Sequence, residues 1–216
     1  LAASQPVSVL LDDVVLENVT LKSFPIFDVE RVEVLRGPQG TLFGKNASAG
    51  LVNIVSKGGT DSLEAEARAE YYEGDEYRLR GSLSGPIATD LSARLTGFYG
   101  SYDGNITNVF GGREDQINGY EHYGARGIVD YDGPMARLRF IADYFRADDD
   151  CCADITTVSR GAVLDAELGL PGGVAQGLDQ RYVNHNLVTQ TKDRQWSLTA
   201  NADIDLTDTH TLSVVT

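Results

Sequence analysis

Long stretches of strict period-two alternation restrict what this chain folds into more than any other feature. From Leu63 to Tyr71 the odd positions are Leu63, Ala65, Ala67, Ala69 and Tyr71, set against Glu64, Glu66, Arg68 and Glu70. Tyr77, Leu79, Gly81 and Leu83 then alternate with Arg78, Arg80, Ser82 and Ser84, and Leu91, Ala93 and Leu95 with Ser92, Arg94 and Thr96. Ala136, Leu138, Phe140, Ala142 and Tyr144 continue the pattern, as do Trp196, Leu198, Ala200, Ala202, Ile204 and Leu206. Side chains of a strand point alternately to its two faces, so each stretch has one apolar and one polar face. The pattern predicts about seven strands, over 63–72, 76–86, 90–103, 119–132, 135–147, 193–206 and 209–216. Soluble strands usually run about five or six residues, whereas about ten suit a tilted membrane crossing.

The connections alternate in length. Residues 85–90, Asp132-Gly133-Pro134 and Thr207-Asp208-Thr209 make short turns, while 104–118 and 148–192 are long. Outer-membrane barrels place short turns in the periplasm and long loops outside. Tyr71, Tyr72, Tyr77, Tyr99, Tyr102, Tyr120, Tyr123, Tyr144 and Phe145 gather towards the long-loop ends, as an interfacial aromatic girdle requires. No stretch approaches the roughly 18 apolar residues of a membrane helix, which leaves a strand-built crossing open. The 23 glycines and 10 tyrosines, against one Met and one Trp, fit a turn-rich β protein. A net charge of −14 argues against nucleic acid as a partner.

Before the alternation, residues 29–59 read VERVEVLRGPQGTLFGKNASAGLVNIVSKGG. A strand with Val32 and Val34 ends at the Arg36-Gly37-Pro38 corner, a glycine-punctuated loop follows, and Leu51–Val55 returns as a second strand. Glycine supplies positive φ at such corners and proline fixes φ. Gly40, Gly44 and Lys45 invite comparison with a phosphate-cradling loop. Only three residues separate the two glycines and Asn46 follows the lysine, so the spacing and the Ser or Thr of that motif are missing.

Over about thirty positions this run closely resembles the plug domain of TonB-dependent outer-membrane receptors. The matching residues are Arg31-Val32-Glu33-Val34-Leu35, Arg36-Gly37-Pro38, Leu42-Phe43-Gly44, Asn46, Gly50 and Asn53–Lys57, in the family's order. Val7–Val14 is similar to the preceding plug strand and departs from it at Leu10 and Asp13. The resemblance implies a mainly β fold. The end of a small α+β plug (residues 1–59) would precede the first strands of a transmembrane antiparallel β-barrel (residues 60–216). Leu1 opens mid-pattern and about seven strands cannot close a barrel of about 22. The chain is therefore expected to be a piece of a longer one, unstable alone in lipid because sheet edges are left open.

The same resemblance implies a Gram-negative outer-membrane receptor that imports a scarce large nutrient, a ferric siderophore foremost. TonB, with ExbB and ExbD in the inner membrane, would supply energy, and lipid and lipopolysaccharide would surround the wall. Arg36, with Arg31, would latch the plug to glutamates of the barrel wall. Phe43, with Lys45 and Asn46, would stand at the plug apex, where Phe43 either touches ligand or packs against the wall. Gly37, Pro38, Gly40, Gly44 and Gly50 would shape the corner. A passive porin or adhesin barrel and a soluble acidic β-sandwich are the alternative readings.

Nothing in the sequence reads as catalytic. His122, His185 and His210 are scattered, without a nucleophile or paired carboxylates in a recognisable setting. No cofactor or resident metal is expected. Asp148-Asp149-Asp150 is an acidic run lacking a full set of calcium ligands. The adjacent Cys151 and Cys152 lack zinc-ligand spacing, and either a strained vicinal disulfide or pairing with other cysteines fits an oxidising compartment.

Overall fold

A computed structural model of the chain describes residues 6–16, 26–43, 47–110, 114–150, 181–183 and 190–216. The first elements are β1 (Val7–Leu11), β2 (Val14–Val15), β3 (Val29–Arg36), the helical turn α1 (Gly40–Phe43) and β4 (Gly50–Ser56). They form a four-stranded mixed sheet in the order β2-β1-β4-β3, with β1 parallel to β4 and β3 antiparallel to it. The apolar strand β4 is central and buried along most of its length, whereas β3 is an edge. That edge position explains why Val32 and Val34, which alternate like core residues, are both exposed. Among the described residues, α1 is the only helix of this region, a single helical turn beside the mixed sheet.

The remaining elements are β5 (Glu64–Tyr72), β6 (Glu76–Ala88), β7 (Leu91–Tyr102), β8 (Ile106–Asn108), β9 (Asp115–Ile117), β10 (Tyr120–Asp132), β11 (Ala136–Asp149), β12 (Tyr182–Val183), β13 (Thr191–Thr207) and β14 (His210–Val215). Seven of them pair in the order β14-β13-β11-β10-β7-β6-β5, each next to its neighbour along the chain in this set. All of these pairings are antiparallel, and the sheet is an open wall with free edges at β5 and β14. Its strands start and stop within a few residues of the alternating stretches. The turn expected over 85–90 is shorter: β6 continues to Ala88 through an irregularity at Pro86, and only Thr89-Asp90 turns. A bulge of this kind absorbs the proline, which cannot donate to a regular ladder.

The long connections carry structure of their own. β8, β9 and β12 form a three-stranded sheet around Ile106, Ile117 and Val183. Strands of two or three residues are too short to show a period, so sequence alternation does not reveal them.

The wall is inside out by the standard of a soluble protein. Leu95 is 60% exposed, while its neighbour Arg94 is 6% exposed. Leu79, Leu83, Phe140, Trp196 and Leu198 stand out with Leu95, whereas Thr96, Arg126, Asp130 and Asp143 are buried with Arg94. The small mixed sheet lies against the polar face, and the apolar face is bare.

Candidate functional site

The contact between the small sheet and the polar face of the wall is where charged groups converge. Asp28, just before β3, takes φ +57°, a left-handed conformation that Asp tolerates better than most residues. Its carboxylate accepts from Arg94 Nε at 2.6 Å and Nη2 at 2.7 Å, a two-point pair, and from Thr96 Oγ1 at 2.5 Å. Both side chains of the pair are about 95% buried, at 6% and 5% exposure. Burial works to raise the Asp28 pKa. The hydrogen bonds from Arg94 and Thr96, with the positive charges of Arg94 and Lys57, outweigh it and hold the carboxyl below its ordinary 3.8.

Asp12, also left-handed at φ +50°, caps the end of β4: its carboxylate accepts from the Ser56 amide and hydroxyl, both at 2.8 Å. Arg126 reaches the Ser56 hydroxyl from the wall and donates to Asp143 at 2.6 Å, and Ser197 donates to the same carboxylate at 2.9 Å. The Arg126 guanidinium also lies 5.0 Å from the centre of the Phe27 ring, which contacts Phe98 of the wall at 4.8 Å. Asn201 of β13 donates to the Asp12 carbonyl at 3.0 Å.

A third anchor follows β4. Asp130 accepts from Arg139 Nε at 2.6 Å and from the Gly59 amide at 2.7 Å. A side chain at Gly58 would run into Arg139 and Asp130, and one at Gly59 into Ser92. The link between the two sheets therefore needs glycine for close approach.

These contacts are non-covalent and paired, arranged to hold two bodies together. Losing one partner would leave a buried charge, which makes such a pair a stiff clasp. Among the described residues no three His, Cys, Asp or Glu side chains gather in a metal-holding group. The aspartate run is spent on neighbours. Asp148 meets Lys192 at 3.3 Å and Gln190 at 2.7 Å, Asp149 meets His122 at 2.5 Å, and Asp150 accepts from the Gly119 amide at 2.6 Å.

The residues singled out in the sequence sit apart from this clasp. Arg36 is exposed at the end of β3, opposite Gly50 in register. Arg31 is half exposed and pairs within its own strand, with Glu33 at 2.7 Å and Glu30 at 2.8 Å. Gly37 (φ +88°) and Gly50 (φ +149°) take positive φ at the corner, Pro38 follows, and Gly40 opens α1. Phe43 closes α1. Gly44, Lys45, Asn46, Cys151 and Cys152 lie outside the described residues. In the Asp28–Arg94 pair the arginine belongs to the wall and the carboxylate to the small sheet, whereas Asp143 and Asp130, which hold Arg126 and Arg139, belong to the wall itself. The signal present in the sequence was charge at positions facing the polar side, Arg94 and Arg126 in otherwise regular strands. Their partners depend on tertiary placement.

Residues 2–51 match the family model described as TonB-dependent Receptor Plug Domain. The chain is 38% identical over 95 residues to the pesticin receptor of Yersinia pestis, covering 41% of this chain and 13% of that protein. It is 30% identical over 145 residues to the ferrienterobactin receptor of Escherichia coli, covering 55% of this chain and 18% of that protein. The chain thus spans less than a fifth of the length of these relatives. Among solved structures, the ferric yersiniabactin uptake receptor FyuA from Yersinia pestis superposes with a TM-score of 0.75 at 22% identity. The match covers 97% of this chain and 31% of that one. The siderophore receptor PiuA from Acinetobacter baumannii gives 0.67 at 19% identity, over 95% and 28% of the two chains. At such identities the likeness is one of fold.

Proposed function

We infer that this chain, which belongs to the TonB-dependent receptor family through its plug segment and first barrel strands, serves an outer-membrane receptor that imports ferric siderophores. Residues 1–59 act as part of the plug and 60–216 as the start of a transmembrane antiparallel barrel in a Gram-negative outer membrane. The observation that carries this reading is the inverted wall: a bare apolar face outside and a buried polar face clasped to the small sheet. A barrel around a plug requires that arrangement. The names of the relatives supply the cargo, since they include ferric-siderophore receptors. The work is binding and gating: TonB, coupled to ExbB and ExbD, pulls on the plug and the Asp28–Arg94 and Asp12–Ser56–Arg126 contacts yield. Arg36 and Arg31 latch the plug to wall strands beyond this chain, and Phe43, Lys45 and Asn46 form the apex that meets cargo. Bond-making chemistry has no part in it.

The test is iron uptake. Cells lacking the gene should fail to accumulate radiolabelled iron from one of a panel of ferric siderophores, and the intact gene should restore uptake only when TonB is present. Uptake independent of TonB, or an open ion conductance of the purified protein, would replace this reading with a passive pore.

A further inference from the structure

The outward face of the wall carries a basic pair that the transport reading leaves unused. Tyr99 of β7, Tyr123 of β10, Arg146 of β11 and Arg194 of β13 follow one another in register. Directly paired residues share a face, so this row continues the side that bears Leu79, the register partner of Tyr99. Tyr144 and Trp196 occupy the next row, about 7 Å along the strands. One row further lie Leu95, Gly127, Ala142 and Leu198. Moving towards the long-loop end, the face therefore passes from aliphatic to aromatic to cationic.

Two arginines directly opposite one another repel, and a sheet gains nothing by holding them there. Among the described residues no ion pair joins a carboxylate to either. Arg146 Nη1 donates to the Tyr123 hydroxyl at 3.3 Å, with its guanidinium 6.0 Å from that ring's centre. The charged groups in the adjacent row are already engaged. Asp148 is held by Lys192 and Gln190, and Glu121 accepts from the Tyr99 hydroxyl at 3.4 Å. Both arginines are exposed. Below them an apolar groove of about 750 Å³ runs over Leu95, Gly127, Val129, Phe140, Ala142 and Leu198. The groove is open at Gly127, where a Cβ would meet nothing within 4 Å.

We propose that Arg146 and Arg194 bind the phosphate of a phosphorylated acyl lipid in the outer leaflet, whose chain lies in the groove beneath them. Guanidinium groups match phosphate oxygens with paired donors, and one dianionic group between the two arginines removes their repulsion. The depth agrees, because aromatic rings mark the headgroup boundary, and the pair shares its row with Tyr99 and Tyr123 and lies one row beyond Tyr144 and Trp196. Lys192 flanks the site from the row above. The proposal rests on the membrane-spanning reading of the wall and adds a fixed lipid contact to it.

The receptor carrying this chain would be purified from outer membranes in mild detergent, and retained phosphorylated lipid counted per protein by native mass spectrometry. Delipidated protein would then be titrated with nanodiscs of phosphatidylethanolamine containing diphosphorylated hexa-acyl lipid A or its dephosphorylated counterpart. The R146Q/R194Q variant should retain about tenfold less lipid, as expected for a lost charge-assisted phosphate clamp. Its heat-modifiable mobility on gels, a mark of the folded barrel, and its iron uptake should stay unchanged. Arg194→Gln alone should lower retention part of the way, and Arg137→Gln, on the polar face, should leave it as it was. Equal retention by wild type and the double variant would overturn the proposal, as would equal binding of the dephosphorylated lipid. Protein absent from the membrane fraction would overturn both this proposal and the barrel reading, whereas a folded membrane barrel with unaltered retention would overturn this proposal alone.

Discussion

Asp28 and Arg94 are each buried and each charged, so their value lies in what happens when one is removed. Arg94→Ala leaves the Asp28 carboxylate in a desolvated pocket with only Thr96 and the more distant Lys57 to stabilise it. Breaking a buried pair in this way costs about 3–5 kcal/mol. The expected outcome is faster hydrogen exchange over 26–36 in the variant, with the wall strands protected as before. The double change Asp28→Asn with Arg94→Gln should recover part of the loss, because no bare charge remains. Acid should act on the same pair. The folded-state pKa of Asp28 is depressed, so its contribution is complete above the ordinary 3.8 and fades as pH falls through the lower folded value. Exchange of the 26–36 amides, expressed relative to each amide's intrinsic rate at the same pH, should rise towards the low end of the window between about pH 5 and pH 2. The rise should be absent from the D28N/R94Q double variant.

At the scale of elements, one glycine sets how β3 and β4 of the small sheet approach each other. Gly50 holds φ +149° where β4 begins, and a Cβ there would stand 2.5 Å from the Leu35 carbonyl oxygen across the β3–β4 ladder. Gly50→Ala should cost about 1–3 kcal/mol through strain at a position of this kind. The measurable consequence is loss of exchange protection along β3 and β4 while β10 and β11 keep theirs. This position was legible in advance, since a glycine between a corner and an apolar strand predicts unusual φ. The wall strands were legible too, because period two over ten residues leaves little freedom in which residues share a face. The clasp was not. Asp12 and Asp28 sit in short turns whose left-handed φ no alternation signals, and their partners lie 44 and 66 residues away or more. Arg36 drew notice by its motif and stands exposed, while Arg94 looked like one polar residue among many in β7.

For the whole molecule, the decisive question is which side of the wall meets hydrocarbon. A soluble sandwich would bury Leu95, Ala142 and Leu198 against a second sheet and show its arginines to water. Here the small sheet covers the arginines instead, and the exposed side runs continuously from Leu63 to Trp196 across the strands. Residues of that face alternate with buried ones of the opposite face, polar at Arg94, Arg126 and Asp143 and apolar at Ile128, Ile141 and Phe145, so neighbours one position apart should report opposite surroundings. Nitroxide labels at Leu95, Ala142 and Leu198, introduced in the receptor after Cys151 and Cys152 are changed to Ser, should relax readily with dissolved oxygen, which concentrates in the bilayer. A label at Thr199 should be shielded from oxygen. A label at Arg80, on the open part of the polar face, should respond to a water-soluble nickel chelate. Collision with oxygen at all five positions would mean a sheet lying flat on lipid. Shielding from both reagents at Leu95, Ala142 and Leu198 would place them in a protein core. Only alternation of the response along β6, β7, β11 and β13 fits a wall with lipid on one side and a plug on the other.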